Sequence, residues 1–198
     1  MIDNATLILG PPGCGKTYTL IERVQAKLEE GVHPSRIGVV SFTTKAINEF
    51  IDRACAKFNL TKQDFPHFKT LHATGYHGLG LAPKDVMSKQ DYTKLGEMLA
   101  VDFDGADSTS VHDGIAVPSM KGSGAKYLQI IMRSVYRMSD LDFEFNYEGD
   151  HDLSFSKLVQ IQRQLEEYKS KTGRVDFSDM IAKYIDIAEP PNLDLLIV

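Results

Sequence analysis

Eight residues near the start of the chain have the types and spacing needed to hold a phosphate chain. Residues 10–17 (GPPGCGKT) match the pattern GxxxxGK[ST] in full. Glycines let backbone N–H groups approach phosphate oxygens without a Cβ clash, and a helix N-terminus adds partial positive charge. We expect Lys16 and Thr17 to be catalytic, with Lys16 on the β- and γ-phosphates and the Thr17 hydroxyl as a Mg²⁺ ligand. The predicted nucleotide-binding residues are Gly10, Pro11, Pro12, Gly13, Cys14, Gly15, Lys16, Thr17 and Tyr18.

The segments around this loop have the patterns of a strand and a helix. Residues 6–9 (TLIL) form a short apolar run before Gly10, which predicts a buried strand. Residues 15–30 place apolar side chains on one helical face, and Gly31 is a suitable stop. A strand that leads into a loop and a helix is the context that a phosphate-binding loop requires.

A second strand and a second helix follow. Residues 36–42 (RIGVVSF) are rich in β-branched side chains and predict a buried strand. Thr43 or Thr44 can cap a following helix whose apolar face runs from Ile47 to Phe58. Alternating strands and helices imply an α/β fold with a parallel sheet and helices on both of its faces.

The pattern becomes mostly helical after about residue 80. Helices are predicted at a capping box of Ser88 and Asp91, over 125–138, over 155–171, and after an N-cap pair of Asp176 and Asp179. Residues 104–125 are rich in Gly, Ser and Asp and predict a long loop. Residues 193–198 (LDLLIV) predict a third buried strand, so the helical stretch reads as an insertion into one sheet.

Composition limits the classes of protein that fit. The 198 residues carry a net charge of −5, and two cysteines, Cys14 and Cys55, provide neither a disulfide framework nor a metal-binding CxxC pair. No apolar run is long enough to span a membrane, and no basic segment precedes the first apolar stretch. Residues 1–81 have a net charge of +2, against −6 for 82–152 and −1 for 153–198, so the whole-chain charge does not exclude nucleic acid.

The phosphate-binding loop by itself is compatible with three classes of protein. A P-loop nucleotide kinase would use the insertion as a lid, and an AAA+-like ATPase would need an apolar strand ending in acidic residues. Residues 40–120 contain no such strand. A non-catalytic interaction module would bind a partner protein through its acidic middle third. Cys14 fits either a redox switch or a small residue that the loop tolerates.

Further motifs favour one family. Residues 41–46 (SFTTKA), with Glu49 and Arg53, resemble motif Ia of UvrD/Rep-type superfamily 1 DNA helicases, and residues 69–73 (KTLHA) resemble their motif Ib. Residues 175–180 (VDFSDM) resemble the DFxDL segment that precedes the Walker B strand, and 195–198 (LLIV) resemble the start of that strand. The order and spacing of these landmarks carry the resemblance.

The resemblance implies a RecA-like P-loop NTPase with a mostly helical insertion, and a function as an ATP-dependent helicase that moves on single-stranded DNA. ATP and Mg²⁺ are the implied cofactors. The implied partners are single-stranded DNA or a forked duplex, and a second RecA-like domain outside this chain. Phe42 would contact a base, which agrees with the preference of strand-end aromatics for base stacking. The implied DNA-binding residues are Phe42, Thr43, Thr44, Lys45, Thr70 and His72.

The resemblance also divides the chain. Residues 1–81 would be the first part of a RecA-like subdomain 1A, residues 82–172 a 1B-like insertion, and residues 173–198 the return to 1A up to the Walker B strand. We therefore expect an N-terminal piece of a longer protein that is inactive on its own. Simple structural roles remain open for several residues: capping for Asp176 and Asp179, and a surface ion pair for Glu49 and Arg53.

The match to the family pattern is incomplete. Only nine residues precede Gly10, which leaves no room for the family's upstream glutamine motif that reads adenine. Ile47 replaces a small residue of motif Ia, and Thr44 stands where asparagine is common. We expect a monomer without membrane contact, in the cytoplasm of a bacterial or phage-infected cell.

Overall fold

The computed structural model describes residues 5–103, 109–112, 115–118, 122–149 and 152–198. The chain forms two compact units, one of residues 1–74 with 189–198 and one of residues 75–188. The helices are α1 (Lys16–Glu29), α2 (Thr44–Phe58), α3 (Leu71–Gly78), α4 (Lys89–Leu99), α5 (Ala125–Arg137), α6 (Leu141–Glu148), α7 (Phe155–Thr172) and α8 (Phe177–Ile187). The strands are β1 (Ile37–Ser41), β2 (His67–Thr70), β3 (Thr109–His112), β4 (Ile115–Pro118) and β5 (Leu195–Ile197).

A three-stranded parallel sheet forms the centre of the first unit. Its order is β2-β1-β5, and Val39 of β1 lies opposite Phe68 of β2 and Ile197 of β5. The strands predicted over 36–42 and 193–198 are confirmed as β1 and β5, each shorter than its apolar run. The sequence did not predict β2, which pairs with β1 on the other side.

Helices α1 and α2 of the first unit pack on the same face of this sheet. Ile21 and Val24 of α1 and Phe50 of α2 share a buried cluster with Ile37 and Val39 of β1. Helices α1 and α2 therefore do not sandwich the sheet, and the prediction of helices on both faces is wrong for this pair. Each helix has a clear apolar face, and the two apolar faces contribute to one shared core.

The predicted strand over residues 6–9 is wrong. Residues 5–9 form no regular structure, and the Leu7 and Leu9 side chains are each 80% exposed. Strand β1 already pairs with β2 on one side and β5 on the other, so residues 6–9 cannot form backbone hydrogen bonds to β1. An apolar run becomes a strand only where a partner strand satisfies its backbone groups.

Helix boundaries follow the capping residues closely. The Thr43 side chain accepts a hydrogen bond from the Ala46 N–H at 3.3 Å, which begins α2 one residue later. Helix α2 ends at Phe58, and the φ of 53° at its C-cap, Asn59, lies in the left-handed region. The helices predicted after Gly15, after Thr43, over 125–138 and over 155–171 are all confirmed within two residues.

Helices α4, α5 and α7 build the core of the second unit. Leu95 of α4, Ile130 of α5, and Leu158 and Ile161 of α7 are almost fully buried in one cluster. The loop predicted over 104–125 is wrong in part, because β3 and β4 form an antiparallel hairpin there. The remaining positions of that stretch before residue 122 lie outside the described residues. The boundaries of the proposed insertion stay a prediction.

Two capping boxes carry buried carboxylates in the second unit. Asp91 accepts from the Ser88 N–H at 2.7 Å and begins α4, while Asp176 and Asp179 exchange hydrogen bonds with each other's N–H groups and begin α8. The structural interpretation of Asp176 and Asp179 as a capping pair is therefore confirmed.

Asp91 is almost fully buried and is the centre of a polar network. It accepts from Ser88 Oγ and Tyr168 Oη, each at 2.6 Å, and forms an ion pair with Arg174. Burial alone would raise the pKa of Asp91, but the hydrogen bonds from Ser88, Tyr168 and Arg174 outweigh it and lower the pKa to about 2. The network holds α4 against α7.

We expect Asp91→Asn to destabilise the chain by about 2 kcal/mol at neutral pH. Because the folded-state pKa lies below the unfolded value of 3.8, this stabilisation is present above pH 4 and is lost as the pH falls towards 2. Urea unfolding at pH 7 and at pH 3 measures both free energies of unfolding. An equal deficit of the variant at both pH values would contradict the assignment.

A buried ammonium links α7 to the start of α8. Lys169 Nζ lies 2.9 Å from Asp176 Oδ2, 3.0 Å from Asp179 Oδ1 and 2.7 Å from Glu166 Oε1, and the lysine side chain is only 6% exposed. Burial alone would lower the pKa of Lys169, but attraction to Asp176 and Asp179 raises it above its ordinary value. The ammonium therefore stays charged and paired at neutral pH.

Candidate nucleotide and nucleic-acid site

The predicted phosphate-binding loop wraps into the start of α1. Gly13 and Gly15 have φ values of 79° and 85°, a region that residues with a Cβ rarely adopt. Gly15 is also the N-cap of α1 and has no side chain to accept from the first-turn N–H groups. Those donors, with the positive end of the helix, form a site suited to an anion.

Lys16 reaches back across the loop. Its Nζ donates to the carbonyl oxygens of Gly10 and Pro11, both at 2.7 Å, and lies 3.7 Å from Cys14 Sγ. The ammonium is therefore held against the loop by two of its carbonyls and lies near the Cys14 side chain. An incoming phosphate would find a cation already beside the backbone donors.

These residues fit a nucleoside triphosphate with Mg²⁺. A Cβ placed on Gly10 would lie 2.4 Å from Cys14 Sγ, so a larger residue there would require the Cys14 side chain to move. The Thr17 hydroxyl is the single protein oxygen predicted as a metal ligand. Within the described ranges, histidine, cysteine and acidic side chains form no cluster of three that could hold a metal. Mg²⁺ bound largely by phosphate and water oxygens, with one hydroxyl, suits such a donor set.

Tyr18, the last predicted nucleotide-binding residue, lies on the outer side of α1. Its side chain is 65% exposed, and Lys57 Nζ of α2 lies 5.4 Å from the ring centroid. Lys57 also forms an ion pair with Glu22 of α1. The ring is therefore held at the α1–α2 surface next to the loop.

The motif Ia residues lie where β1 ends and α2 begins. The Phe42 side chain is 73% exposed, so Phe42 is not a core aromatic at the end of β1. The Thr43 hydroxyl caps α2 by accepting from the Ala46 N–H. Thr44 is half-buried, and Lys45 is exposed. Phe42 and Lys45 are thus the members of this group that present a ring and a charge to solvent.

The motif Ib residues end the neighbouring strand at the same edge of the sheet. Thr70 pairs in register with Ser41, so the carboxyl ends of β1 and β2 lie side by side. Ligands of parallel α/β sheets bind at this edge. Thr70 itself is buried and accepts from the Ala73 N–H at 3.2 Å, while His72 is half-buried. Thr70 therefore shapes the β2–α3 turn.

The Glu49 and Arg53 pair of motif Ia is a surface ion pair. Arg53 Nη2 lies 2.5 Å from Glu49 Oε1, and both side chains are about half exposed. The structure confirms the interpretation of these residues as neighbours one turn apart on α2.

Sequence reasoning missed two polar residues of β2. His67 and Lys69 alternate with the buried Phe68 and Thr70, so they share the opposite face of the strand. Burial lowers the pKa of Lys69, and burial together with Lys69 lowers the pKa of His67. The alternation of polar and apolar residues in HFKT was the available signal.

Helices that could cross a membrane are absent from the described part of the chain.

Comparison with known proteins agrees with the geometry of the loop and strand ends. The UvrD/REP helicase N-terminal domain family is matched by residues 1–194. Three curated relatives are ATP-dependent helicase/nuclease subunits from Streptococcus agalactiae serotypes Ia, V and III, each 26% identical over 103 residues. These alignments cover 50% of this chain and 8% of each relative.

Proposed function

Because the chain belongs to the UvrD/REP helicase N-terminal domain family, we propose that it is the ATP-binding part of an ATP-dependent DNA helicase. The intact protein would move along single-stranded DNA and unwind duplex. The chain spans only 8% of the length of the curated relatives it matches, so this activity is proposed for a longer protein.

The observation that carries the proposal is the arrangement of loop residues 10–17 at the start of α1. Gly13 and Gly15 curl the backbone, and Lys16 Nζ lies 2.7 Å from two loop carbonyls. Bound ATP with Mg²⁺ would supply the phosphoryl chemistry. Lys16 would then orient the β- and γ-phosphates and stabilise charge on them, and the Thr17 hydroxyl would hold the metal.

The DNA side of the proposal uses the carboxyl edge of the same sheet. The exposed Phe42 ring would stack on a base, and Lys45 would contact a phosphate. Thr43 and Thr44 would lie near the backbone of the strand, with Thr70 and His72 supporting the adjacent turn. This is a narrow track built from two strand ends, so it does not require a basic protein.

Stepping would need a second RecA-like domain. ATP bound between the two domains would close them, and hydrolysis would open them. Alternating grips on single-stranded DNA during this cycle would move the protein, acting as a monomer, along the strand.

ATP turnover by the intact protein, measured with and without single-stranded DNA, tests the proposal. A helicase is expected to turn over ATP faster when DNA is present. A nucleotide kinase would transfer phosphate to a nucleoside or nucleotide with no effect of DNA, and a non-catalytic module would show neither reaction. Either of those results contradicts the proposal.

Phe42→Ala should weaken binding of single-stranded DNA by roughly fivefold to a hundredfold, because one base loses its stacking partner. Fluorescence anisotropy with a labelled oligo(dT) measures the dissociation constant. Ile185→Ala is the matched control, because Ile185 is similarly exposed at 72% but belongs to α8 of the second unit. Equal affinities of the two variants would argue against a base contact at Phe42.

A further inference from the structure

Helix α6 carries large apolar side chains on more than one face. Leu141 and Phe145 pack against the core of the second unit, whereas Phe143 and Tyr147 are 59% and 65% exposed. A helix with aromatic residues on its outer face keeps apolar surface in contact with water without stabilising its own fold. Such a surface is typical of a binding site.

The two exposed rings lie next to each other with nearly parallel planes. Phe143 and Tyr147 lie one helical turn apart, with ring centroids 6.4 Å apart and planes inclined by only 23°. The guanidinium carbons of Arg137 and Arg133 lie 5.1 Å and 5.9 Å from the Tyr147 centroid. We call Arg133, Arg137, Phe143 and Tyr147 the aromatic–arginine platform.

A buried carboxylate orients the arginines of the platform. Glu144 is fully buried and accepts from Arg133 Nε at 2.6 Å, Arg137 Nη1 at 3.4 Å and Ser139 Oγ at 2.7 Å. The side chain of Arg137 is 49% exposed. The negative charge therefore lies beneath the surface. Arg133 is only 25% exposed and donates to Glu144 through Nε and Nη2, so Arg137 is the arginine that presents its guanidinium at the surface beside the rings. The platform presents cations and π-faces together.

We propose that the aromatic–arginine platform binds a segment of single-stranded DNA, with bases stacked on Phe143 and Tyr147 and a phosphate on Arg137. Aromatic faces accept any base, and guanidinium groups complement phosphate, so the pair matches the chemistry of a single strand. Asp142 next to Phe143 would keep phosphates on the arginine side of the helix. The presence of such a strand rests on the proposed helicase function, but stacking at α6 is a separate contact.

The absence of tryptophan from the sequence allows a direct test. Tyr147→Trp places a single indole on the platform of the 198-residue chain, and a 20-nucleotide oligo(dT) is titrated against it. We expect the emission to be quenched by base stacking. Adding Phe143→Ala or Arg137→Ala should weaken this binding roughly fivefold or more. Met98→Trp, at an exposed position outside the platform, is the matched control and should not respond.

A parallel Phe42→Trp variant separates this proposal from the proposed function. Quenching at Phe42→Trp without quenching at Tyr147→Trp would overturn the platform and leave the sheet-edge contact in place, whereas a response at neither position would count against both. Equal quenching of Tyr147→Trp by an abasic oligomer of the same length would show charge attraction without stacking, and would also overturn it. A change in Tyr147→Trp emission with protein concentration alone would assign the surface to a second copy of the chain instead.

Discussion

Lys16→Ala in the intact protein is expected to lower DNA-stimulated ATP turnover by roughly a hundredfold or more. The substitution removes the ammonium that lies 2.7 Å from the Gly10 and Pro11 carbonyls of the phosphate loop. Charge on the transferred phosphoryl group would then lose its lysine and be stabilised only by backbone donors and the Mg²⁺ proposed at Thr17. Steady-state phosphate release at saturating ATP and DNA measures the loss.

Lys27→Ala is the matched control, because Lys27 lies on the same helix and forms only a surface ion pair with Glu30. Its turnover should stay within about twofold of the unmodified protein, since exposed pairs contribute little. Full turnover by Lys16→Ala would mean that the loop does not act on phosphate. It would favour the non-catalytic interaction module.

Lys169→Met is expected to destabilise the second unit by roughly 3–5 kcal/mol. The change leaves the buried Asp176 carboxylate without its cation, and Asp179 loses the same partner. Methionine fills most of the lysine volume, so the loss comes from charge rather than from a cavity. Urea unfolding followed by far-UV circular dichroism measures the free energy of unfolding.

Lys171→Met on the same helix provides the comparison. Lys171 pairs with Glu167 at 2.7 Å, but its side chain is 72% exposed, so the expected cost is under about 1 kcal/mol. Similar losses for the two variants would show that the Lys169 cluster contributes no more than a surface pair.

Local chemistry made much of the fold predictable. The phosphate loop needs glycines and a lysine at set positions, and helix starts need a side-chain acceptor such as Thr43 or Asp176. Both requirements act within a few residues of sequence, so residue types and spacing reveal them. The same holds for the pair of Glu49 and Arg53 on one helix face.

The wrong predictions concern non-local partners. Residues 6–9 look like a buried strand, but no strand among the described residues pairs with them, and a run of four residues cannot reveal whether a partner strand exists. Strand β2 was not predicted because its polar residues do not resemble a buried strand. It forms because it pairs with β1. The hairpin of β3 and β4 arose within a stretch whose composition suggested a loop.

The sequence names candidate site residues but does not predict which of them are exposed. Phe42 and Thr70 both belong to motif residues at strand ends, yet Phe42 is 73% exposed and Thr70 only 2%. Exposure depends on which way the chain turns after each strand, and that turn is set by tertiary packing. The platform on α6 was missed because its arginines and rings come from two helices.

Thr43, which caps α2, lies between Phe42 and a helix that packs against α1, the helix that follows the phosphate loop. Thr43 follows the exposed Phe42 and fixes the first turn of α2, and α2 shares its buried side chains with α1, which begins at Lys16. A force applied to the Phe42 ring would therefore act on a helix that is packed tightly against the phosphate loop's own helix. The exposed ring of Phe42 and the phosphate loop are therefore connected through one small buried core, formed by side chains of α1, α2 and β1.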